Sequence, residues 1–369
     1  MVRPNSRILF KRRERVLKIA EFLGKVSLRG VLLEGKDGFL TIAADATSVR
    51  MLLRTTIRTP AAFQRVLSCD KLTRLLTEAE EVRLVDEGRE LEIVYKEGTL
   101  KRGSGDKPDG EWVDASVFKP CSEAREVDLK TLVQAAEWVS RAIGDRSRWS
   151  LNNLWLVTDK EGCGRIVATD GKRLHFASFE EWEDEKFLID RWGIQVLKQL
   201  PEEHGKFRIV KGPNPYSGEE EVRWLEIQAG GLMVWLKEDD GQIPDWESVL
   251  PQKVGARLKF EASDFEALIK TARKRLIGRW AYLFVQFELE GNEARCFFIT
   301  DAGERFIPAR LPFEVAERNG DLRARFNAEY VEQAIKGMNS TEFILQDEVS
   351  AGMISDGKLN CVLMPVEIE

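Results

Sequence analysis

The chain has 369 residues, 43% hydrophobic and 32% charged, with 62 Asp and Glu against 56 Lys and Arg. That length calls for two or three domains, and a net charge of −6 excludes a surface coated in nucleic acid while leaving room for one basic face. No stretch approaches the ~18 apolar residues of a membrane span, the N-terminus shows no apolar signal region, and five scattered cysteines (Cys69, Cys121, Cys163, Cys296, Cys361) form no CxxC pair. A cytoplasmic protein with free thiols is expected, without membrane contact.

In chain order, Ser6 to Lys11 reads as a short strand. A helix follows, on which Val16, Leu17, Ile19, Ala20, Phe22 and Leu23 recur at helical spacing among Lys11, Arg12, Arg13, Arg15, Lys18 and Lys25. A second helix near Cys69 to Thr77 carries Leu72, Leu75 and Leu76. Val82 and Leu84, then Leu91, Ile93 and Tyr95, alternate as strands joined by an Asp86-Glu87-Gly88 turn. Gly103 to Glu123, rich in Gly, Pro and Asp, reads as a linker.

A second module starts at Val127, where Asp128 is a candidate N-cap for a helix with Leu129, Leu132, Val133, Ala136 and Val139 on one face. Its second helix spans the region from Asp190 to Leu200 and stops at Pro201. Strands are expected at Phe207–Val210, Val222–Ile227 and Leu232–Leu236. A third module opens with a capping box, Ser263-Asp-Phe-Glu266, before a helix whose buried face is Phe265, Leu268, Ile269, Ala272 and Leu276. Phe326-Asn-Ala-Glu-Tyr330 starts its second helix, which ends near Gly337. Strands at Phe343–Leu345, Ala351–Ile354 and Leu359–Met364 close the chain.

Arg165-Ile-Val-Ala-Thr-Asp-Gly-Lys-Arg-Leu174 is an apolar strand, an Asp-Gly hairpin turn and the start of a second strand. Its surroundings recur as Leu40-Thr-Ile-Ala-Ala-Asp45 and Cys296-Phe-Phe-Ile-Thr-Asp301, with the aspartates 170 − 45 = 125 and 301 − 170 = 131 residues apart. A period that long is a repeated domain and not a solenoid unit. Gly241-Gln-Ile-Pro-Asp-Trp246 also echoes Gly105-Asp-Lys-Pro-Asp-Gly-Glu-Trp112. Three α+β domains are therefore expected, 1–124, 125–251 and 252–369, each with two helices on antiparallel sheets.

Ala168-Thr-Asp-Gly-Lys-Arg-Leu174, Ile243-Pro-Asp-Trp-Glu-Ser-Val-Leu-Pro251, Arg325-Phe-Asn-Ala-Glu-Tyr330 and Cys361-Val-Leu-Met-Pro365 occur together, in this order, across the chain. In this it resembles the bacterial β sliding clamp, the processivity ring of the replicative DNA polymerase. The first domain matches least, and its start is abbreviated. The resemblance implies a DNA clamp fold in which each chain forms half of a head-to-tail homodimeric ring. Duplex DNA would be encircled without sequence-specific contacts, and no cofactor or metal is implied.

The resemblance further implies three surfaces. Cations on or beside the helices, Arg12, Arg15, Lys25, Arg29, Lys198, Arg273 and Lys274, with Arg146, Arg148 and Trp149 following a helix end, would face DNA phosphates, which need no fixed register. The competing structural reading is a solvated helix face. An apolar pocket at Leu151, Thr169, Gly171, Lys172, Arg173, Leu174, Pro244, Val249, Val362, Met364, Pro365 and Val366 would take short peptide motifs of polymerases, the clamp loader and repair proteins. Read without the resemblance, these are core residues and a C-terminal strand. Lys172 stands where the family commonly has His, and the tail ends Glu367-Ile-Glu369, which bears on partner choice. Ring closure would use an edge strand near Tyr95 to Arg102 with Leu100, meeting Leu276 and Ile277 of the second copy. Arg102 falls where a second apolar residue would help.

Two other readings compete. A clamp paralogue of a mobile element or specialised repair system would keep the fold and change the partners. A hydrolase would use Asp45, Asp170 or Asp301. Against it, equivalent hairpin turns account for all three aspartates, and His175 and His204 stand in no catalytic or metal-ligand spacing.

Overall fold

A computed structural model describes residues 4–27, 29–108, 112, 114–144, 151–183, 186–201, 203–215, 217, 220–276 and 282–367, with side chains from residue 12 onward. The described elements gather into two compact units, Met1–Ala136 with Leu188–Asp240, and Glu137–Phe187 with Gly241–Glu369.

The chain begins with a helix and not with the expected strand. Helix α1 runs Pro4–Ser27, taking in Ser6 to Lys11. Proline fits the first helical turn, where its missing N–H costs nothing. Arg7, Lys11, Glu14 and Lys18 continue a helical spacing that a six-residue strand would break. Val16, Leu17, Ile19, Ala20 and Leu23 form its buried stripe, against strand β2 (Phe39–Ala46) and helix α2 (Leu72–Leu76).

Four strands follow, β1 (Val31–Lys36), β2 (Phe39–Ala46), β3 (Val49–Arg58) and β4 (Phe63–Leu67), and then α2 (Leu72–Leu76). Strands β5 (Glu81–Val85), β6 (Glu90–Tyr95) and β7 (Gly98–Gly103) complete the first third. The β5–β6 turn has Asp86, Glu87 and Gly88 all at positive φ. The expected linker carries regular structure: β8 (Lys119–Pro120) pairs with β14 (His204–Pro213), and Phe118 stacks on Trp235 at 4.8 Å. Gly105 is required there, because a Cβ would lie 2.0 Å from the Val66 carbonyl oxygen.

The middle third comprises β9 (Arg125–Asp128), α3 (Leu129–Val139), β10 (Leu154–Thr158), β11 (Gly164–Thr169), β12 (Arg173–Ser178), β13 (Lys186–Ile189), α4 (Arg191–Leu197), β14, β15 (Glu221–Ala229) and β16 (Leu232–Lys237). Asp128 caps α3 by accepting from Lys130 N at 3.1 Å and Thr131 Oγ1 at 2.7 Å. Asp190 caps α4 through Trp192 N and Gly193 N. Both caps satisfy amides that a helix start leaves orphaned. In the first unit, β4-β1-β2-β3-β16-β15-β14-β8 is a continuous path through a twelve-stranded sheet, with β5, β6, β7 and β9 at its margins.

The final third has β17 (Ala256–Glu261), α5 (Ala262–Leu276), β18 (Leu283–Glu290), β19 (Glu293–Thr300), β20 (Arg305–Phe306), β21 (Glu314–Arg318), β22 (Leu322–Asn327), α6 (Ala328–Ile335), β23 (Ser340–Leu345), β24 (Gly352–Ser355) and β25 (Leu359–Leu363). The capping box is displaced: α5 already includes Ala262, whose N–H goes to the Asn339 carbonyl, so Ser263 lies inside the first turn. Phe265, Ile269 and Ala272 are buried as expected, while Leu268 and Leu276 are half-buried. Asn327 accepts from Glu329 N and opens α6 where the sequence places it. In the second unit β10-β11-β12-β25-β24-β23-β17-β21 are neighbours in one sheet, and β20-β19-β18-β22 form another.

The result is an α+β chain of antiparallel sheets. The last two thirds share the order strand, helix, hairpins, strand, helix, hairpins; the first third follows it without the opening strand. Each third carries two α-helices among the described residues. Among the described residues, no helix is long and apolar enough to cross a membrane.

Candidate functional site

The Asp170-Gly171 turn joins β11 to β12, and Gly171 sits at φ 84°, where a side chain would be strained. Asp170 Oδ1 accepts from the amides of Lys172 (2.9 Å) and Arg173 (3.0 Å), so this carboxylate is consumed by its own turn. Asp45 ends a comparable hairpin but takes the Arg29 guanidinium at 2.8 Å. Burial pushes its carboxyl up, and the charges of Arg29 and Arg50 oppose that only in part. Asp301 meets the amide of Ala302 at 3.1 Å. Among the described residues, no group of three His, Cys, Asp or Glu is placed to hold a metal ion.

Register decides which of the expected pocket residues share a face. Leu174 is opposite Thr169 on β11 and Val362 on β25, and residues directly opposite in an antiparallel pair project the same way. Met364, two residues after Val362, falls on that face too, and its N–H donates to the Lys172 carbonyl at 2.9 Å. Leu174 and Val362 form a floor only 3% and 2% exposed, while Met364 stands 44% exposed at its rim. Leu151 joins this end of the sheet: its carbonyl accepts from Gly144 N, and a Cβ on Gly144 would lie 3.4 Å from Asp170 Cα.

Pro244 and Val249 lie on a segment crossing the same face. Its anchor is Trp246, buried against Phe176 with ring centroids 5.3 Å apart. Phe176 is two residues from Leu174 on β12 and so shares its side. Pro244 and Val249 remain exposed. Pro365 and Val366 are half-buried, Val366 N donating to the Arg325 carbonyl at 2.7 Å, and Gly171 and Lys172 are exposed at the turn.

Arg173 is placed on the opposite face. Its guanidinium lies 4.3 Å from the Tyr330 ring centroid, pairs with Asp170 at 3.1 Å, and donates to the Gln333 side chain and the Arg141 carbonyl. Arg141 in turn donates to the carbonyls of Gln333 and Lys336 at the end of α6. His175 is buried beside them, stacked on Trp138 and with Nδ1 3.2 Å from the Trp138 carbonyl. A carbonyl only accepts, so Nδ1 carries the hydrogen and Nε2 is left without a partner.

Sequence reasoning missed Val349, which is 80% exposed on a turn where Asp347 accepts from the amides of Val349 and Ser350. The Gly352–Leu363 pairing brings Ala351 level with Met364, so Val349 belongs to the same end of the sheet. The strand alternation after Ser350 was its only sequence signal. Ile307 and Leu311, 71% and 43% exposed beside β20, were missed as well.

The expected DNA-facing cations divide into two groups. Arg12 is held by Glu203 at 2.8 Å and the Ala229 carbonyl at 2.9 Å. Arg15 donates to the Leu200 carbonyl, Arg29 pairs with Asp45 and lies 4.5 Å over the Trp112 ring, and Arg273 pairs with Glu332 at 2.7 Å. Their neighbour Arg13 donates to the carbonyls of Thr77 and Ala79 and to Thr56 Oγ1. Lys198 is half-buried at the end of α4, and Lys25 and Lys274 are exposed. Arg146, Arg148 and Trp149 lie outside the described residues.

For ring closure, β7 pairs with β6 and with no other strand among the described residues, and Gly98 to Lys101 are exposed, Leu100 by 42%. Arg102 reaches Ser68 Oγ at 3.2 Å. Leu276 is half-buried at the end of α5, and Ile277 lies outside the described residues.

The fold these elements build is that of the DNA sliding clamps. The chain is similar to the DNA polymerase III beta subunit of Thermotoga maritima, with a TM-score of 0.76 at 19% identity over 98% of both chains. It is also similar to the DNA polymerase III subunit beta of Borrelia burgdorferi in complex with a natural product (TM-score 0.75, 14% identity, 97% of this chain and 98% of that one). A Pseudomonas aeruginosa sliding clamp bound to griselimycin gives a TM-score of 0.72 at 19% identity, over 96% of this chain and 98% of that one. No family model matches the chain, and a search of curated proteins finds no match.

Proposed function

We propose that this protein is a DNA sliding clamp, a non-catalytic accessory subunit of a DNA polymerase. Two copies close head to tail into a ring around duplex DNA and hold the polymerase and other factors through the Leu174–Met364 surface. The observation that carries the reading is the likeness to polymerase beta subunits over at least 96% of both chains, at TM-scores above 0.7. Three domains, 1–124, 125–251 and 252–369, fit the repeated order of elements.

Two features of the surfaces support it. The uncovered β7 edge suits pairing with a second copy, for which exposed Ile307 and Leu311 join Leu276 as apolar partners. The floor of Leu174 and Val362 under a Met364 rim suits inserted apolar side chains, and thioether flexibility suits several partners. Exposed Lys172 and Glu367 at that end of the sheet favour a second form of the reading, a specialised clamp with altered partners.

The decisive experiment is retention on circular DNA and release when the circle is linearised. Equal retention on both forms would replace encirclement by ordinary affinity.

A further inference from the structure

The segment that carries Pro244 and Val249 is fastened to the sheet at two points. One is Trp246 on Phe176. The other is polar: Glu247 accepts from the Lys160 amide at 2.9 Å and pairs with Lys160 Nζ at 2.9 Å, with Asp245 3.9 Å from the same ammonium. Glu247 is mostly withdrawn from solvent, its side chain 15% exposed.

Lys160 is presented by a stiff turn. Asp159 Oδ1 accepts from the amides of Glu161 (3.0 Å) and Cys163 (2.8 Å), and Oδ2 pairs with Arg165 at 2.8 Å. A solvent-open cleft of about 320 Å³ runs along the segment, with Val157, Thr158 and Lys186 facing Ile243 and Pro244 and the Lys160–Glu247 clasp itself in its wall. Where the segment borders this open cleft it has solvent and not packed side chains beside it, so the Trp246 contact and the polar clasp are what fasten it.

We propose that the Lys160–Glu247 pair is a positioning device that holds the Ile243–Val249 strap and thereby sets ligand affinity at the Leu174–Met364 surface. This rests on reading that surface as a peptide site. Neither residue belongs to that surface; both act through the backbone they fasten. Glu247→Gln keeps an acceptor for the Lys160 amide and removes the ion pair, whereas Lys160→Ala removes the ammonium.

The test uses the full chain, with griselimycin as the probe, and measures binding by calorimetry and amide hydrogen exchange at Trp246 and Leu250. Lys160→Ala and Glu247→Gln should weaken binding roughly two- to fivefold, the range of an exposed ion pair, and speed exchange at both amides while the melting temperature holds. Lys160→Arg should behave as wild type, and the reversed pair Lys160→Glu with Glu247→Lys should recover affinity. A merely structural contact would move melting and affinity together without recovery in the reversed pair, which overturns the proposal. Unchanged affinity and exchange in the single variants overturn it equally. If wild type fails to bind griselimycin while the variants still speed exchange, the strap stands and the peptide-site reading is what falls.

Discussion

Trp138 and His175 stack with ring centroids 4.3 Å apart, and the tryptophan's own carbonyl takes the imidazole Nδ1 hydrogen. Burial lowers the His175 pKa to about 3, with Arg173 and Arg141 adding repulsion and the Trp138 hydrogen bond opposing. The unfolded chain takes up this proton near pH 6.5 and the folded chain only near 3. Between those values the unfolded state binds more protons, so stability is full above the upper one and falls with pH down to the lower. Denaturant titrations from pH 7 to 4 should show a slope of up to ~1.4 kcal/mol per pH unit from this group. His175→Phe should flatten it, at a cost of about 1–3 kcal/mol for the orphaned carbonyl.

Arg173 joins the Asp170 turn to Gln333 and Tyr330 of α6 and to the Arg141 carbonyl. Lysine cannot reproduce a planar fork that serves several acceptors. Arg173→Lys should destabilise the second unit by about 2–3 kcal/mol, and Arg173→Ala by about 3–5 kcal/mol, read as lower midpoints in urea. Retained stability would return Arg173 to the ligand surface.

Met364 is the clean probe of the peptide surface, since Leu174 is 3% exposed and Leu174→Ala would cost about 2–5 kcal/mol of fold stability. If the proposed peptide site is right, Met364→Asp should reduce binding of a short clamp-motif peptide at least tenfold in calorimetry while the melting temperature changes little. Full affinity in that variant would remove the surface as the binding site.

Leu100 tests ring closure. Leu100→Asp puts a charge on an exposed edge and costs the isolated chain little, but it should break a dimer that uses β7. Light scattering should change from about twice 42.1 kDa to 42.1 kDa. A dimer that persists would place the interface elsewhere.

Lys25 and Lys274 are exposed, whereas Arg12 and Arg13 serve neighbouring carbonyls. Lys25→Ala with Lys274→Ala should weaken DNA retention and lower the salt slope by about 1 for each phosphate no longer neutralised, at unchanged stability. Arg13→Ala should instead lower the melting temperature.

Much of the fold is legible in local chemistry. Asp128, Asp190 and Asn327 mark their helix starts, and the Asp170-Gly171 turn fixes a hairpin, because each depends only on residues within a few positions. The opening helix was not: Ser6 to Lys11 is short enough to suit either period, and only its continuity with Val16 to Leu23 decides. Which residues the expected pocket draws on can be written down from the sequence, but the face each one takes cannot. Strand alternation puts Leu174 and Arg173 on opposite sides, yet which side meets the helices depends on Trp138 and Tyr330, far away in sequence. Nor does a count of arginines tell which ones face solvent, because the carbonyls of Thr77, Ala79, Leu200 and Ala229 lie more than sixty residues from the α1 arginines they engage.

The arginines of α1 carry one more implication. Guanidinium N–H groups of Arg12, Arg13 and Arg15 that already donate to carbonyl oxygens keep their charge but have fewer donors left for a fixed fork on a phosphate, so they attract a polyanion at range more than they grip it. In the ring proposed above, attraction without fixed grips would let a threaded duplex travel instead of snagging, low friction then arising from where the N–H donors are committed and not from any missing charge.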